Sequence, residues 1–191
     1  LVSLVENDTP PEREQVVKGI AGNLCRCTGY RPIISAGLKA LSSPIDKLAI
    51  HDLPLAGDSL GYFRPPDRAS LHKLMAEYPG ALLVSGGTAL MLEVTQQYHD
   101  LTSFIDLAGV TELGHWCIDD DSIEIGAAVT YATIEQDLCE RLGERGSQLR
   151  SLLHRFGSPQ IRNVGTVGGN LANGSPIADM PPVLMAMDAI I

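Results

Sequence analysis

Residues 160–179 read QIRNVGTVGGNLANGSPIAD, a stretch in which glycines are interspersed with short polar side chains. Glycine lets the backbone take positive φ angles and approach a ligand with no Cβ in between. Successive backbone N–H groups in such a loop can bind phosphate oxygens, so this stretch predicts a site for a diphosphate. A tight turn beside a buried strand explains the same composition equally well.

A second loop of the same character lies earlier in the chain. Residues 81–84 (ALLV) predict a buried strand, residues 85–88 (SGGT) a glycine turn and residues 89–94 (ALMLEV) a helix. The N-terminus of that helix would point at the loop, where its dipole favours an anion. Neither the glycine spacing of a Rossmann loop nor the lysine of a P-loop is present. Two loops of this kind could clamp one dinucleotide.

A pair of cysteines, in the sequence Cys25-Arg26-Cys27, lies between two predicted helices. Two thiolates this close can bind one metal atom. A two-iron cluster needs four ligands, and Cys117 and Cys139 fall in a predicted strand and a predicted helix. We therefore expect the other two ligands to lie outside this sequence. A zinc module built on the same cysteines is the alternative.

The composition excludes some classes of partner. The 191 residues carry a formal net charge of -9 and show no basic stripe, which argues against nucleic acid and anionic membrane surfaces. No apolar run approaches the roughly 20 residues of a membrane span, and no signal peptide opens the chain. We expect a cytoplasmic protein that binds neither nucleic acid nor membrane.

The sequence predicts two domains of an α+β protein. Residues 1–41 read as helices around the cysteine pair, residues 42–61 lack a clean period and read as a linker, and residues 62–191 mix strands with helices. Residues 1–5 begin inside an apolar helical pattern, and residues 189–191 end inside an expected strand. We therefore expect a fragment truncated at both ends, with both domains partial.

Two groups of motifs resemble those of the molybdenum hydroxylase family. GNLCRCTGYRPII (residues 22–34) resembles a cluster-binding segment of the family's iron-sulfur domain, and SGGTAL with QIRNVGTVGGNLANGSPIAD resembles its FAD domain. The resemblance covers essentially the whole chain, in the family's order. It implies the C-terminal part of a small helical 2Fe-2S domain, followed by an α+β FAD-binding domain of the vanillyl-alcohol-oxidase/CO-dehydrogenase flavoprotein type.

The resemblance also implies the cofactor ligands. Cys25 and Cys27 match two of the four ligands of a 2Fe-2S cluster. The FAD-binding positions are Leu83, Val84, Ser85, Gly86, Gly87, Thr88, Ala89 and Leu90 in one loop, Thr166, Val167, Gly168, Gly169 and Asn170 in the other, and Phe156 and Asp179 beside the flavin. No general acid, base or nucleophile is implied in this chain.

The function implied by the resemblance is an electron relay. The complete enzyme would hydroxylate a purine at a molybdenum cofactor in a large partner subunit, and electrons would pass through 2Fe-2S clusters to FAD and then to NAD. The same motifs occur in aldehyde, carbon monoxide and nicotinate enzymes, which are the nearest alternatives. A non-catalytic docking fragment is the alternative from another class.

Overall fold

The structure is a computed structural model that describes residues 12–24, 29–42 and 61–191. The chain divides into two compact units, one of Leu1–Leu55 with Ser158–Gln160 and one of Ala56–Gly157 with Ile161–Ile191. The predicted domain limits at residues 41 and 62 stay predictions. The mixture of helices and sheets confirms the predicted α+β class.

Within its described residues, the first unit has two helices, α1 (Arg13–Gly19) and α2 (Arg31–Leu41). Glu12 caps α1 through a reciprocal pair of hydrogen bonds with Gln15, which satisfies N–H groups that the first turn leaves free. Proline in the first turn of α2 costs little, because an N–H group there has no helical partner. Val16 of α1 and Ile34 of α2 are buried.

The second unit opens with a small parallel sheet in the order β1-β3-β2. Its strands are β1 (Tyr62–Phe63), β2 (Leu82–Val84) and β3 (Phe104–Asp106), and the connecting helices are α3 (Arg68–Glu77) and α4 (Leu90–Thr95). The expectation that β2 is buried is wrong, since Leu82 and Leu83 are 39% and 48% exposed. Among the described strands β2 pairs only with β3, so it lies at an edge of the sheet.

A hairpin and a group of helices follow, all in the second unit except residues 159–160, which belong to the first. The hairpin of β4 (Trp116–Ile118) and β5 (Ile123–Ile125) is antiparallel, as predicted. The helices are α5 (Tyr131–Thr133), a π-helical turn (Ile134–Leu138), α6 (Cys139–Arg141), α7 (Glu144–Leu153), α8 (Pro159–Val164), α9 (Val167–Asn173) and α10 (Met180–Ala186). No helix in the described ranges has the length and apolarity needed to cross a bilayer.

Two apolar cores hold this unit together. The smaller core packs Leu71 of α3 against Ile105 of β3 and Val110. The larger core contains one residue from the segment between β5 and α5 and others from the helices that follow. These residues are Val129, Tyr131, Ile134, Leu138, Cys139, Leu153, Val167 and Met180. Val167 lies within the 160–179 stretch and Met180 follows it directly, so packing in the larger core holds that stretch in position.

Candidate functional site

Residues 85–89, hereafter the 85–89 loop, connect β2 to α4. Gly87 adopts a φ of +67°, a left-handed conformation that glycine takes without strain. Its carbonyl accepts a hydrogen bond from Met91 N at 2.9 Å, which starts the helix. None of the backbone N–H groups from Ser85 to Ala89 donates to another of the described residues. A row of free N–H groups of this kind binds anions.

The 85–89 loop lies directly against the 160–179 stretch. A Cβ added at Gly86 would overlap the carbonyl oxygen of Val164 and lie 2.9 Å from the Cα atom of Gly165. Any side chain at position 86 would therefore push the two segments apart. The structure brings together the two glycine-rich segments that the sequence predicts to act jointly.

The backbone N–H groups from Val167 to Asn170 are bonded within the protein, contrary to the expectation for this part of the 160–179 stretch. Thr166 caps α9, and its hydroxyl oxygen accepts a hydrogen bond from Gly169 N at 3.1 Å. Val167 N donates to Val129 O at 3.2 Å, and Asn170 N donates to Thr166 O at 3.0 Å. These groups are already satisfied within the protein, so this stretch contributes shape and side chains instead.

Gly168 explains why the stretch needs glycine although it is helical. Its N–H group donates to Ala127 O at 2.9 Å, and an added Cβ would lie 2.5 Å from the Ala127 Cβ. The close approach of α9 to residue 127 therefore requires glycine. The role of Gly168 is packing between backbone segments, which fixes the part of α9 that carries Asn170, two residues further along.

Three buried polar atoms have no hydrogen-bond partner among the described residues. They are Ser85 Oγ, Asn170 Oδ1 and the hydroxyl of Tyr131. Native proteins rarely leave such atoms unsatisfied, so each of them requires an explanation. Ser85 and Asn170 belong to the two segments that meet at Gly86. The unsatisfied atoms Ser85 Oγ and Asn170 Oδ1 therefore lie one on each of these two segments.

Tyr131 connects the remaining predicted residues, and the sequence gives no motif for it. Its ring packs edge to face on Phe156, with 4.4 Å between centroids, and its N–H group donates to Gly165 O at 3.0 Å. Burial, followed by the negative charge of Asp179, raises the pKa of the Tyr131 hydroxyl. Phe156 and Gly165 of the 160–179 stretch therefore both contact one buried tyrosine, and Asp179 acts on it through its charge.

The predicted cluster ligands Cys25 and Cys27 lie outside the described residues. Within those residues, no group of at least three His, Cys, Asp or Glu side chains could hold a metal ion. Cys139 is buried in the larger core and Cys117 is partly exposed on β4, and neither forms a disulfide. Both cysteines therefore lie where the sequence predicts, in a helix and a strand.

Two domain families match the chain. Residues 58–191 match the FAD binding domain in molybdopterin dehydrogenase. Residues 1–38 match a 2Fe-2S binding domain. The first match covers more than half of the chain and includes the 85–89 loop, Tyr131 and the 160–179 stretch.

Relatives and solved structures agree with these matches. The chain is 28% identical to a xanthine dehydrogenase of Drosophila subobscura, over 99% of this chain and 18% of the relative. It resembles quinoline 2-oxidoreductase of Pseudomonas putida 86 with 25% identity and a TM-score of 0.58, over 66% of this chain and 44% of that one. CO dehydrogenase of Oligotropha carboxidovorans shares 29% identity with a TM-score of 0.56, over 68% and 45% of the two chains. The chain thus spans less than a fifth of the length of that Drosophila relative.

Proposed function

Because the chain belongs to the family of FAD binding domains in molybdopterin dehydrogenase, we propose that it is the electron-relay part of a xanthine dehydrogenase. FAD and a 2Fe-2S cluster are the cofactors of its two domain families. The proposed arrangement is that of the small subunit of a bacterial enzyme, with the molybdenum cofactor in a large partner subunit. Electrons from purine hydroxylation would pass through 2Fe-2S clusters to FAD and on to NAD. Similarity to a xanthine dehydrogenase over 99% of the chain supports this choice of substrate.

The free N–H groups of the 85–89 loop are the observation that carries the FAD site. These N–H groups fit a diphosphate, which needs several donors. The absence of a side chain at Gly86 lets the 85–89 loop lie directly against Val164 and Gly165. Ser85 Oγ and Asn170 Oδ1 are buried atoms that lack partners among the described residues. Bound FAD supplies a centre that exchanges electrons both singly and in pairs. The protein binds and orients this centre.

The other predicted FAD residues have supporting parts in this proposal. Leu83 and Val84 on β2 carry the loop, and Leu90 opens α4 behind it. Thr166 caps α9, as described above, and so fixes the position of Asn170. The glycines and Val167 bring α9 close to residues 127–129. Phe156 packs on Tyr131, and the charge of Asp179 acts on the Tyr131 hydroxyl. We propose that Phe156 and Asp179 lie beside the flavin ring.

Cys25 and Cys27 are proposed as two of the four thiolate ligands of a 2Fe-2S cluster. This assignment rests on the matched domain family, which covers residues 1–38. Thiolates are the ligands that hold iron-sulfur clusters.

Visible absorption of the purified full protein tests the proposal. We expect flavin and iron-sulfur bands, and in the complex with the molybdenum-cofactor subunit we expect xanthine to bleach them under anaerobic conditions. A colourless protein would favour a docking role, and stoichiometric zinc without iron would favour a zinc module. Either result contradicts the relay.

A second candidate is the corresponding part of another molybdenum hydroxylase. The likeness to quinoline 2-oxidoreductase and to CO dehydrogenase, at 25% and 29% identity, favours it. Bleaching by quinoline, carbon monoxide, an aldehyde or nicotinate, but not by xanthine, would select this candidate.

A further inference from the structure

A polar network surrounds Glu135 inside the second unit. Glu135 lies in the π-helical turn, and its Oε2 atom accepts a hydrogen bond from Arg162 Nε at 2.7 Å. Its Oε1 atom lies 2.8 Å from His154 Nε2. The side chains of Glu135 and Arg162 are only 17% and 12% exposed, whereas that of His154 is 45% exposed. The Glu135–Arg162 pair is therefore the shielded part of the network.

Arg162 also binds the turn that precedes its own helix. Its Nη1 atom donates to Gly157 O at 3.0 Å and lies 3.4 Å from Phe156 O. The rigid guanidinium fork can donate in these directions at the same time, which a lysine ammonium on its flexible stem does poorly. Arg162 thus ties the 156–157 turn to Glu135.

The backbone around Glu135 is held from the other side. Cys139 N donates to Ile134 O, five residues back, so the helix contains a widened π turn at this point. Arg150 of α7 donates to the Glu135 carbonyl oxygen at 3.2 Å. π turns inside helices occur frequently at functional sites. The backbone position of Glu135 is therefore fixed, and its carboxylate holds the Arg162 guanidinium in place.

The helix that Arg162 anchors ends at the seat of the 85–89 loop. Arg162 lies in α8, which ends at Val164, and Gly165 N donates to Ile161 O at 2.7 Å. Val164 and Gly165 are the residues on which Gly86 rests. A shift of α8 would move this seat, and with it the row of free N–H groups.

We propose that Glu135 and Arg162 are positioning residues for the diphosphate site, acting through α8 on the seat of Gly86. This inference rests on the proposed function, because its readout is FAD affinity. A purely stabilising pair would lower the melting temperature alone. A positioning pair changes FAD affinity in protein that is still folded.

FAD titration of the flavin-stripped full protein, followed by quenching of flavin fluorescence, tests this role. We expect Arg162→Met to weaken FAD binding by about 10- to 100-fold, the range typical when a supporting hydrogen bond behind a ligand group is removed. Arg162→Lys should recover part of the affinity, because it keeps the charge opposite Glu135. Adding Glu135→Gln to Arg162→Met should cost little more, because the two act as one unit.

Arg141→Met is the matched control. Arg141 stacks on Trp116, with 5.2 Å to the ring centroid, and belongs to the same unit. It should leave FAD affinity unchanged. Equal weakening by Arg141→Met and Arg162→Met would overturn the inference, as would wild-type affinity in both Glu135→Gln and Arg162→Met.

Two further results bear on the inference, a variant that does not fold and a wild-type protein that does not bind FAD. If Arg162→Met does not fold, Glu135→Gln and Arg162→Lys carry the test, and wild-type affinity in both overturns the inference. Failure of the wild-type protein to bind FAD overturns the proposed function first, and that outcome is distinct from a failure of the variants alone.

Discussion

Gly86 is the residue at which the two glycine-rich segments meet. The sequence predicts both segments, because glycine next to a strand end marks a close approach of backbone. The predicted free N–H groups occur in the 85–89 loop, whereas those from Val167 to Asn170 are used within the protein. The proposed anion site therefore has backbone N–H donors on one side, from the 85–89 loop, and backbone packing against the 160–179 stretch on the other.

Gly86→Ala should separate the two segments. An added methyl group would overlap Val164 O, and overpacking of this kind costs about 1–3 kcal/mol. We expect a lower free energy of unfolding and weaker FAD binding, measured by urea denaturation and FAD titration. Gly80→Ala is the control, since an added Cβ there meets nothing within 4 Å. Equal behaviour of the two variants would rule out the close seat.

Ionisation of the buried Tyr131 should reduce the stability of the folded protein at alkaline pH. Burial and then Asp179 raise its pKa above the ordinary value of 10.0, so the folded protein holds this proton more tightly than the unfolded chain does. The resulting stabilisation is complete below about pH 10 and is lost as the pH rises toward the raised pKa. We expect the melting temperature to fall less steeply above pH 10 in Tyr131→Phe than in the wild type.

Tyr62 is present in both the wild type and Tyr131→Phe, so it does not produce the expected difference between their alkaline stability curves. Its pKa is also raised, by burial and by Asp106. Near neutral pH, Tyr131→Phe should change stability little, because the buried hydroxyl has no partner among the described residues. Parallel alkaline curves for Tyr131→Phe and the wild type would contradict the buried, un-ionised state of Tyr131.

Tyr131, Glu135 and Arg162 could not be found from the sequence. Each acts through contacts with residues distant in the chain, such as the Arg162–Glu135 bond, which spans 27 positions. No local spacing encodes such a pair. Phe156 and Asp179 follow from the resemblance alone, and Tyr131 contacts the first of them and feels the charge of the second.

At the scale of elements, the strand, loop and helix around residues 85–89 follow the prediction closely. The observed strand is Leu82–Val84 and the observed helix is Leu90–Thr95. The 160–179 stretch differs, because most of α8 and all of α9 replace an expected loop. Glycine disfavours helix by about 1 kcal/mol per residue, but the Thr166 cap and the packing of Gly168 against Ala127 outweigh that preference.

Thr166→Ala should weaken both α9 and the FAD site. Loss of a helix N-cap costs about 0.5–2 kcal/mol, and Thr166 is only 5% exposed. We expect lower thermal stability together with lower FAD affinity. Asp67→Ala is the matched control, since Asp67 caps α3 by accepting from Ser70 N at 2.7 Å. It should reduce stability alone, and an equal loss of FAD affinity would remove any specific role for the Thr166 cap.

At the scale of the whole molecule, the chain joins two domain families with separate cofactors. The matched families divide the chain into residues 1–38 and 58–191, in line with the order of the sequence motifs. In the proposed relay the purine would bind in the partner subunit, so neither domain of this chain would determine the substrate. The choice of xanthine dehydrogenase therefore depends on similarity, while the FAD site depends on geometry.

Cys25→Ser should separate the two cofactors experimentally. If Cys25 and Cys27 are cluster ligands, either cysteine-to-serine change removes iron from this site and leaves FAD bound. Iron analysis and the flavin absorption of the full protein measure both. Cys117→Ser should keep the full iron content, because Cys117 lies on β4 of the second unit. Unchanged iron in both Cys25→Ser and Cys27→Ser would contradict the cluster assignment.

A crystal structure of the full protein with bound FAD measures the decisive distances, those from the diphosphate oxygens to the backbone nitrogens of residues 85–89. We expect several of them at about 2.7–3.2 Å, with Gly86 still seated on Val164 and Gly165. A diphosphate bound elsewhere, or an 85–89 loop drawn away from Gly165, would contradict the proposed FAD site.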